Sequence, residues 1–144
     1  TKWHEELQKH AVMKKHIRLP SGRQYAFPQA RWTDWGTATD RTAICNYPVQ
    51  GFATADLLPM SLILLDRKVR ELGMKSVICN TVHDSIVMDV YPSEEKQCID
   101  VMAECMLAIP MESKERYGIE YNMPVGIELK IGKNWLDLEE VLTV

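Results

Sequence analysis

The sequence predicts an α+β fold, a small antiparallel sheet packed on helices. Three observations predict it. In NTVHDSIVMDV (Asn80–Val90) and the residues just before it, apolar and polar positions alternate on both sides of His83–Asp84, as they do in a half-buried hairpin. In PVGIELKIG, Val125, Ile127, Leu129 and Ile131 alternate with Gly126, Glu128 and Lys130, the clearest strand in the chain. Elsewhere apolar residues recur at three- or four-residue spacing, the signature of helices with one buried face.

Taken in order, Trp3, Leu7 and Ala11 fall four apart and predict a helix over 2–15, thin enough to be the tail of a longer one. HIRLPSGRQYAF sets Pro20, Ser21 and Gly22 between two alternating runs and predicts a hairpin. Residues 28–43 read as loop leading into a helix. From Pro48 to Leu72, Phe52, Ala55, Leu58, Leu62, Leu65, Val69 and Leu72 form a long apolar stripe that Gly73 stops. Pro59 inside it lacks an amide proton and predicts a kink or break. Ser93 reads as the N-cap of a helix with Glu94 and Glu95 in its first turn. Cys98, Met102, Cys105 and Ile109 carry that helix on until Pro110 interrupts it. One sheet is expected to hold the hairpin 76–91 and the strand near 124–131, backed by helices near 49–72 and 93–109. No repeat or flexible linker appears, so residues 1–144 read as a single domain.

Composition sets limits. With 46% hydrophobic and 26% charged residues the chain can build a core and is not a disordered segment. It has no apolar run of about 18 residues, so no membrane span is expected. Charged Lys2, His4, Glu5 and Glu6 at the start are unlike a secretory leader, and a first residue Thr1 is expected of a fragment or a processed product. Cys45, Cys79, Cys98 and Cys105 lack C-x-x-C spacing and read as buried reduced thiols, which favours a reducing, cytoplasmic setting. Net charge is −3, but residues 1–42 hold eight Lys/Arg against four Asp/Glu, while residues 43–144 hold nine against sixteen. The front of the chain could touch phosphates, or could simply be a solvated surface.

If His83 and Asp84 are the two residues of a tight turn, Val82 faces Ser85, Thr81 faces Ile86, Cys79 faces Met88 and Val77 faces Val90. One face then collects Val77, Cys79, Thr81, Ile86, Met88 and Val90 against the helices. Asp84 projects from the tip of the ribbon. Asp is also an ordinary turn residue, so this stretch alone leaves both readings open. His83 is a poor choice for such a turn, where Gly or Asn usually supplies positive φ, and a strained turn is a reason to suspect a functional site.

TVHDSIVMDV resembles motif C of family A DNA polymerases, the bacterial DNA polymerase I type. CNYPVQGFATAD (Cys45–Asp56) resembles the opening of that family's long palm helix, and IGKNW (Ile131–Trp135) resembles its C-terminal end. RLPSGRQYAFP stands where the family has a hairpin after the fingers. The four matches come in order over most of the chain, closest in character to phage-encoded members. The resemblance implies part of a polymerase palm and a two-metal nucleotidyl transfer, with Mg2+ as cofactor and primer–template DNA and a deoxynucleoside triphosphate as partners. It implies that Asp84 is a catalytic metal ligand and that His83 sits beside the primer terminus. It makes Gln50 and Asn46 minor-groove contacts, with Arg41 as a third.

The match also departs from the family. Ser85 stands where many members carry a second carboxylate, and His-Asp-Ser is the form found in phage-type single-subunit RNA polymerases, which share the palm. PVQGFATAD and GKNW favour the DNA enzymes. The family's motif A aspartate and its fingers helix have no counterpart in residues 1–16. One carboxylate cannot assemble a two-metal centre, so the chain alone is not expected to polymerise and needs the rest of a polymerase, in cis or as a separate polypeptide. Two other classes compete: a His-Asp metal hydrolase, for which His4, His10 and His16 share no helical face, and a non-catalytic nucleic-acid-binding module.

Overall fold

The computed structural model describes all 144 residues, and the chain divides into two compact units, Thr1–Asp56 and Leu57–Val144. Helices and three two-stranded antiparallel sheets make it α+β, as the sequence predicts.

In the first unit, α1 (Lys2–Lys14) ends where Lys15 turns left-handed, with φ 62° and its amide on the Ala11 carbonyl. The chain reverses at once into β1 (His16–Arg18), which pairs with β2 (Gln24–Ala26) as the second predicted hairpin. Gly22, at φ 89°, closes the turn through its amide on Leu19 O. Buried Gln8 ties α1 to the following loop, donating to His4 O at 3.1 Å and accepting from Ala38 N at 3.0 Å. Ala11, Ile17, Phe27, Ala30, Ala38 and Ile44 form the core of this unit.

The next helix, α2 (Arg41–Gly51), starts well before the apolar stripe suggested, and a π-helical segment, Phe52–Leu57, joins it to α3 (Leu58–Glu71). The break predicted at Pro59 therefore falls on its N-terminal side. Pro59 cannot donate to the carbonyl four residues back, that of Ala55. Arg23 supplies a donor in its place: Nη2 bonds Ala55 O at 3.1 Å, and Nε bonds Asp56 Oδ1 at 3.0 Å. Ser21 Oγ donates to the other Asp56 oxygen at 2.6 Å. Asp56 is only 7% exposed, and leaving such a charge unpaired would cost about 3–5 kcal/mol. By length and apolar composition the helical run Arg41–Glu71 could cross a membrane, yet Ile44 and Leu65 on it pack into protein cores.

In the second unit α3 stops at Gly73, φ 61°, as predicted. β3 (Val77–Val82) and β4 (Ser85–Asp89) form the expected antiparallel hairpin, with Val82 opposite Ser85 and Thr81 opposite Ile86. Beyond Asn80 the predicted register fails. A bulge at Cys79 pairs Ile78 with Met88 and Val77 with Asp89. Ile78, Ile86 and Met88 therefore face Leu65, Val101 and Cys105, while Val77 and Cys79 are exposed. The packing wins because it buries Ile78, which the unbulged register would have turned outward. All four cysteines are unpaired, but only Cys45, Cys98 and Cys105 are buried.

Ser93 is not the expected cap. It lies in a 3-10 turn, Pro92–Glu94, that precedes α4 (Glu95–Leu107), and Pro110 opens α5 (Ile109–Tyr117). The Glu94 carboxylate points back instead, accepting from the Lys75 and Ser76 amides and, at 2.7 Å, from Ser76 Oγ. Ser76 Oγ in turn accepts from Tyr91 N at 2.9 Å, so one carboxylate fastens both ends of the hairpin base. These donors hold the Glu94 carboxyl below its ordinary pKa of 4.5. The expectation of a single sheet fails too. β5 (Glu128–Ile131) pairs with β6 (Glu139–Thr143), a strand too short and acidic to stand out in the sequence, and not with the β3–β4 hairpin.

Two outcomes follow. A folded-state pKa below 4.5 means that Glu94 stabilises the protein fully above that value and loses its contribution as pH falls through the folded-state pKa. Denaturant melts should show Glu94→Gln less stable than wild type at pH 7, with the gap closing in acid; a pH-independent gap would contradict the role. Gly51 is the other test, because a Cβ there would run into the Tyr25 ring, itself tilted against Tyr47 with ring centroids 5.5 Å apart. Gly→Ala in an open helix gains roughly 0.5–1 kcal/mol. Here Gly51→Ala should instead lose about 1–3 kcal/mol, and Tyr25→Ala in the same chain should remove the clash.

Candidate functional site

Asp84 and His83 lie in the second unit, at the tip of the β3–β4 hairpin. The turn has two residues, and the first of them, His83, has φ 54°, a left-handed conformation that costs a non-glycine residue about 1–3 kcal/mol. The Val82–Ser85 pair closes it, reinforced by Ser85 Oγ donating to Val82 O at 2.8 Å. Ser85 therefore braces the turn. Asp84 is exposed, and no hydrogen bond or ion pair occupies its carboxylate. No group of three or more His, Cys, Asp or Glu side chains gathers anywhere as a ready-made metal site.

Arg41, Asn46 and Gln50 lie in the first unit, all on α2 and all exposed. Asn46 and Gln50 are one turn apart and share a helix face. Thr54 Oγ1 donates to Gln50 O at 2.8 Å, which leaves the Gln50 amide side chain free. Arg41 and Asn46 line one cleft of about 200 Å³ with Thr42, Cys45 and, from α1, His4. Reasoning from sequence missed His4, because its neighbours in the cleft are far along the chain. The proximity of His10 and His16 was missed as well. Lys15 breaks the helix between them, and the two rings meet edge to face at 6.0 Å.

The GKNW segment is also local architecture. Gly132 lies against the Asp137 backbone carbonyl, where a Cβ has no room. Asn134 Oδ1 accepts from the Leu136 and Asp137 amides, and its amide nitrogen donates to the Asp137 carboxylate at 2.7 Å. Trp135 and Leu136 are left exposed on this turn.

Comparison with known proteins gives a family by sequence and a likeness of fold by structure. The sequence model of DNA polymerase family A matches residues 1–137. A DNA polymerase of Bacillus phage SP01 is 32% identical over 142 residues, 97% of this chain and 15% of that protein. The thermostable DNA polymerase I of Thermus aquaticus is 28% identical over 96% of this chain, again 15% of its own length. The chain thus spans about 15% of the curated relatives it matches. Among solved structures, the POL domain of Pol1 from M. smegmatis, in complex with DNA primer-template and dNTP, aligns over 75% of this chain and 19% of its own, with TM-score 0.65 at 24% identity. That likeness is one of fold.

Proposed function

This chain belongs to DNA polymerase family A, and on that premise we propose that it is the C-terminal palm portion of a DNA-directed DNA polymerase working in a bacterial or phage-infected cytoplasm. The observation that carries the proposal is Asp84, an unpartnered carboxylate at the tip of a two-stranded ribbon, inside a chain that matches the family over residues 1–137. The match to a phage DNA polymerase supports the DNA enzyme over the RNA polymerase alternative.

Asp84 suits one side of a magnesium site, since Mg2+ is held through one or two carboxylates and completes its octahedron with water and substrate phosphates. Bound there together with a carboxylate from outside this chain, the metal ions would activate a primer 3′-hydroxyl and neutralise the departing pyrophosphate. The chain's own task is to hold Asp84 in place. The braced turn and the Glu94 clamp at the hairpin base do that without using either Asp84 oxygen. His83 extends from the same tip toward the primer terminus. In the first unit Gln50 and Asn46 offer amides to the minor groove, where both donors and acceptors can be read, and Arg41 adds charge. Arg23 is committed to Asp56 and Lys15 to the Ala30 carbonyl, so phosphate attraction falls to Lys2, Lys9, Lys14, Arg18, Arg31 and Arg41.

Two measurements test this. When the chain is paired with a family A segment that supplies the second carboxylate, magnesium-dependent primer extension should appear, and Asp84→Ala should lower it by at least about 100-fold. Asp84→Asn should do the same while duplex affinity is kept. Extension by the 144 residues alone, or tolerance of Asp84→Ala in the paired enzyme, would overturn the reading. The isolated chain should hold primer–template DNA only weakly, with Kd above about 1 μM near physiological salt and falling affinity as salt rises. Tight binding that ignores salt would contradict it.

A further inference from the structure

The cleft between α1 and α2 has a composition that the polymerase reading does not require. Arg41, Thr42 and Asn46 contribute a guanidinium, a hydroxyl and an amide, and His4 adds an imidazole from the facing helix. All four can donate hydrogen bonds, and no carboxylate lines the cleft. Cys45, at 8% exposure, forms the floor. A metal cation fits poorly, because zinc would find only His4 and Cys45, a hard cation would find no carboxylate, and the Arg41 charge opposes either. A phosphate matches the donor set, with Arg41 offering a planar pair of N–H groups to two of its oxygens. The cleft is also held in shape before any ligand arrives: Gln8 bonds the His4 carbonyl on one side and the Ala38 amide on the other, which fixes α1 against the segment leading into α2.

We infer that His4 and Arg41 together grip one backbone phosphate of the bound DNA duplex, making His4 a DNA-contacting residue from outside the motifs of the family. The inference rests on the nucleic-acid reading above and assigns it a further contact. On this view the Arg41 side chain serves the strand backbone, while Asn46 and Gln50, farther along α2, are left for the groove.

The test is a double-mutant cycle on primer–template affinity, measured across a salt series with the natural polypeptide that contains these residues. His4→Ala should weaken duplex binding about ten-fold, the scale of one hydrogen bond to a charged group. His4→Gln, which keeps a donor, should restore most of it. Arg41→Ala should weaken binding and lower the salt slope by about 0.9, one phosphate's worth of released counterions. The double variant should lose less than the product of the two single losses, because both side chains act on one group. Unchanged affinity in His4→Ala, or losses that multiply without coupling, would overturn the shared phosphate while leaving the polymerase reading in place. Wild-type protein that binds no duplex at all would overturn both. A titration with a deoxynucleoside triphosphate alone separates the two sources of phosphate: if His4→Ala impairs nucleotide binding and spares the duplex, the backbone assignment is wrong.

Discussion

Pro59 has no amide proton, and the carbonyl of Ala55, at the end of the first unit, must therefore find another donor. An α-helix can absorb a missing hydrogen bond only if the orphaned carbonyl finds another donor. Here the helix widens into a π segment just before the proline, and the guanidinium of Arg23 reaches Ala55 O. The same guanidinium neutralises Asp56, whose other oxygen takes the Ser21 hydroxyl. Pro20, Ser21 and Gly22 therefore do more than turn the chain. They present the residues that satisfy a defect in a helix more than thirty positions away. The desolvation of Asp56 is tolerable only because these contacts exist together, so the hairpin and the π segment stabilise one another.

The second unit uses the same economy in a different way. A single carboxylate, that of Glu94, accepts two backbone amides and a hydroxyl, and so closes the base of the hairpin from a position at the start of α4. At the other end, His83 sits in a left-handed conformation that its neighbours must compensate. A ribbon clamped at its base and strained at its tip allows the residue after the strained one little freedom. That residue is Asp84. Rigid placement of a carboxylate costs stability in the turn, and the packing of Ile78, Ile86 and Met88 on α3 and α4 offsets it.

What the sequence revealed is mostly what is local. The α1 stripe, the Pro-Ser-Gly turn, the Gly73 stop and the two-residue turn at His83–Asp84 are each written in a few adjacent residues, and each is present. The matches to family motifs single out Asp84, Asn46 and Gln50, and the structure leaves all three exposed. What was not legible depends on distant partners. The bulge at Cys79 is set by the Leu65 cluster, which alternation along one strand cannot show. Glu95 does stand in the first turn of α4, while Glu94 looked like its companion because nothing in the sequence says that Lys75 and Ser76 offer amides nearby. β6 hides behind two glutamates, and without it β5 appeared to need the hairpin as a partner. His4 had no signal of its own, since its place in the cleft comes from α1 packing on α2.

The bulge has a chemical consequence as well as a geometric one. By turning Cys79 outward it separates one thiol from the other three, which lie in the interior. A bulky alkylating reagent meeting the folded protein should find a single accessible sulfur, four residues before His83 on the strand that carries the turn. The chain thus contains a natural attachment point for a fluorophore or spin label that would sense motion of the Asp84 ribbon, with no cysteine to engineer in or remove.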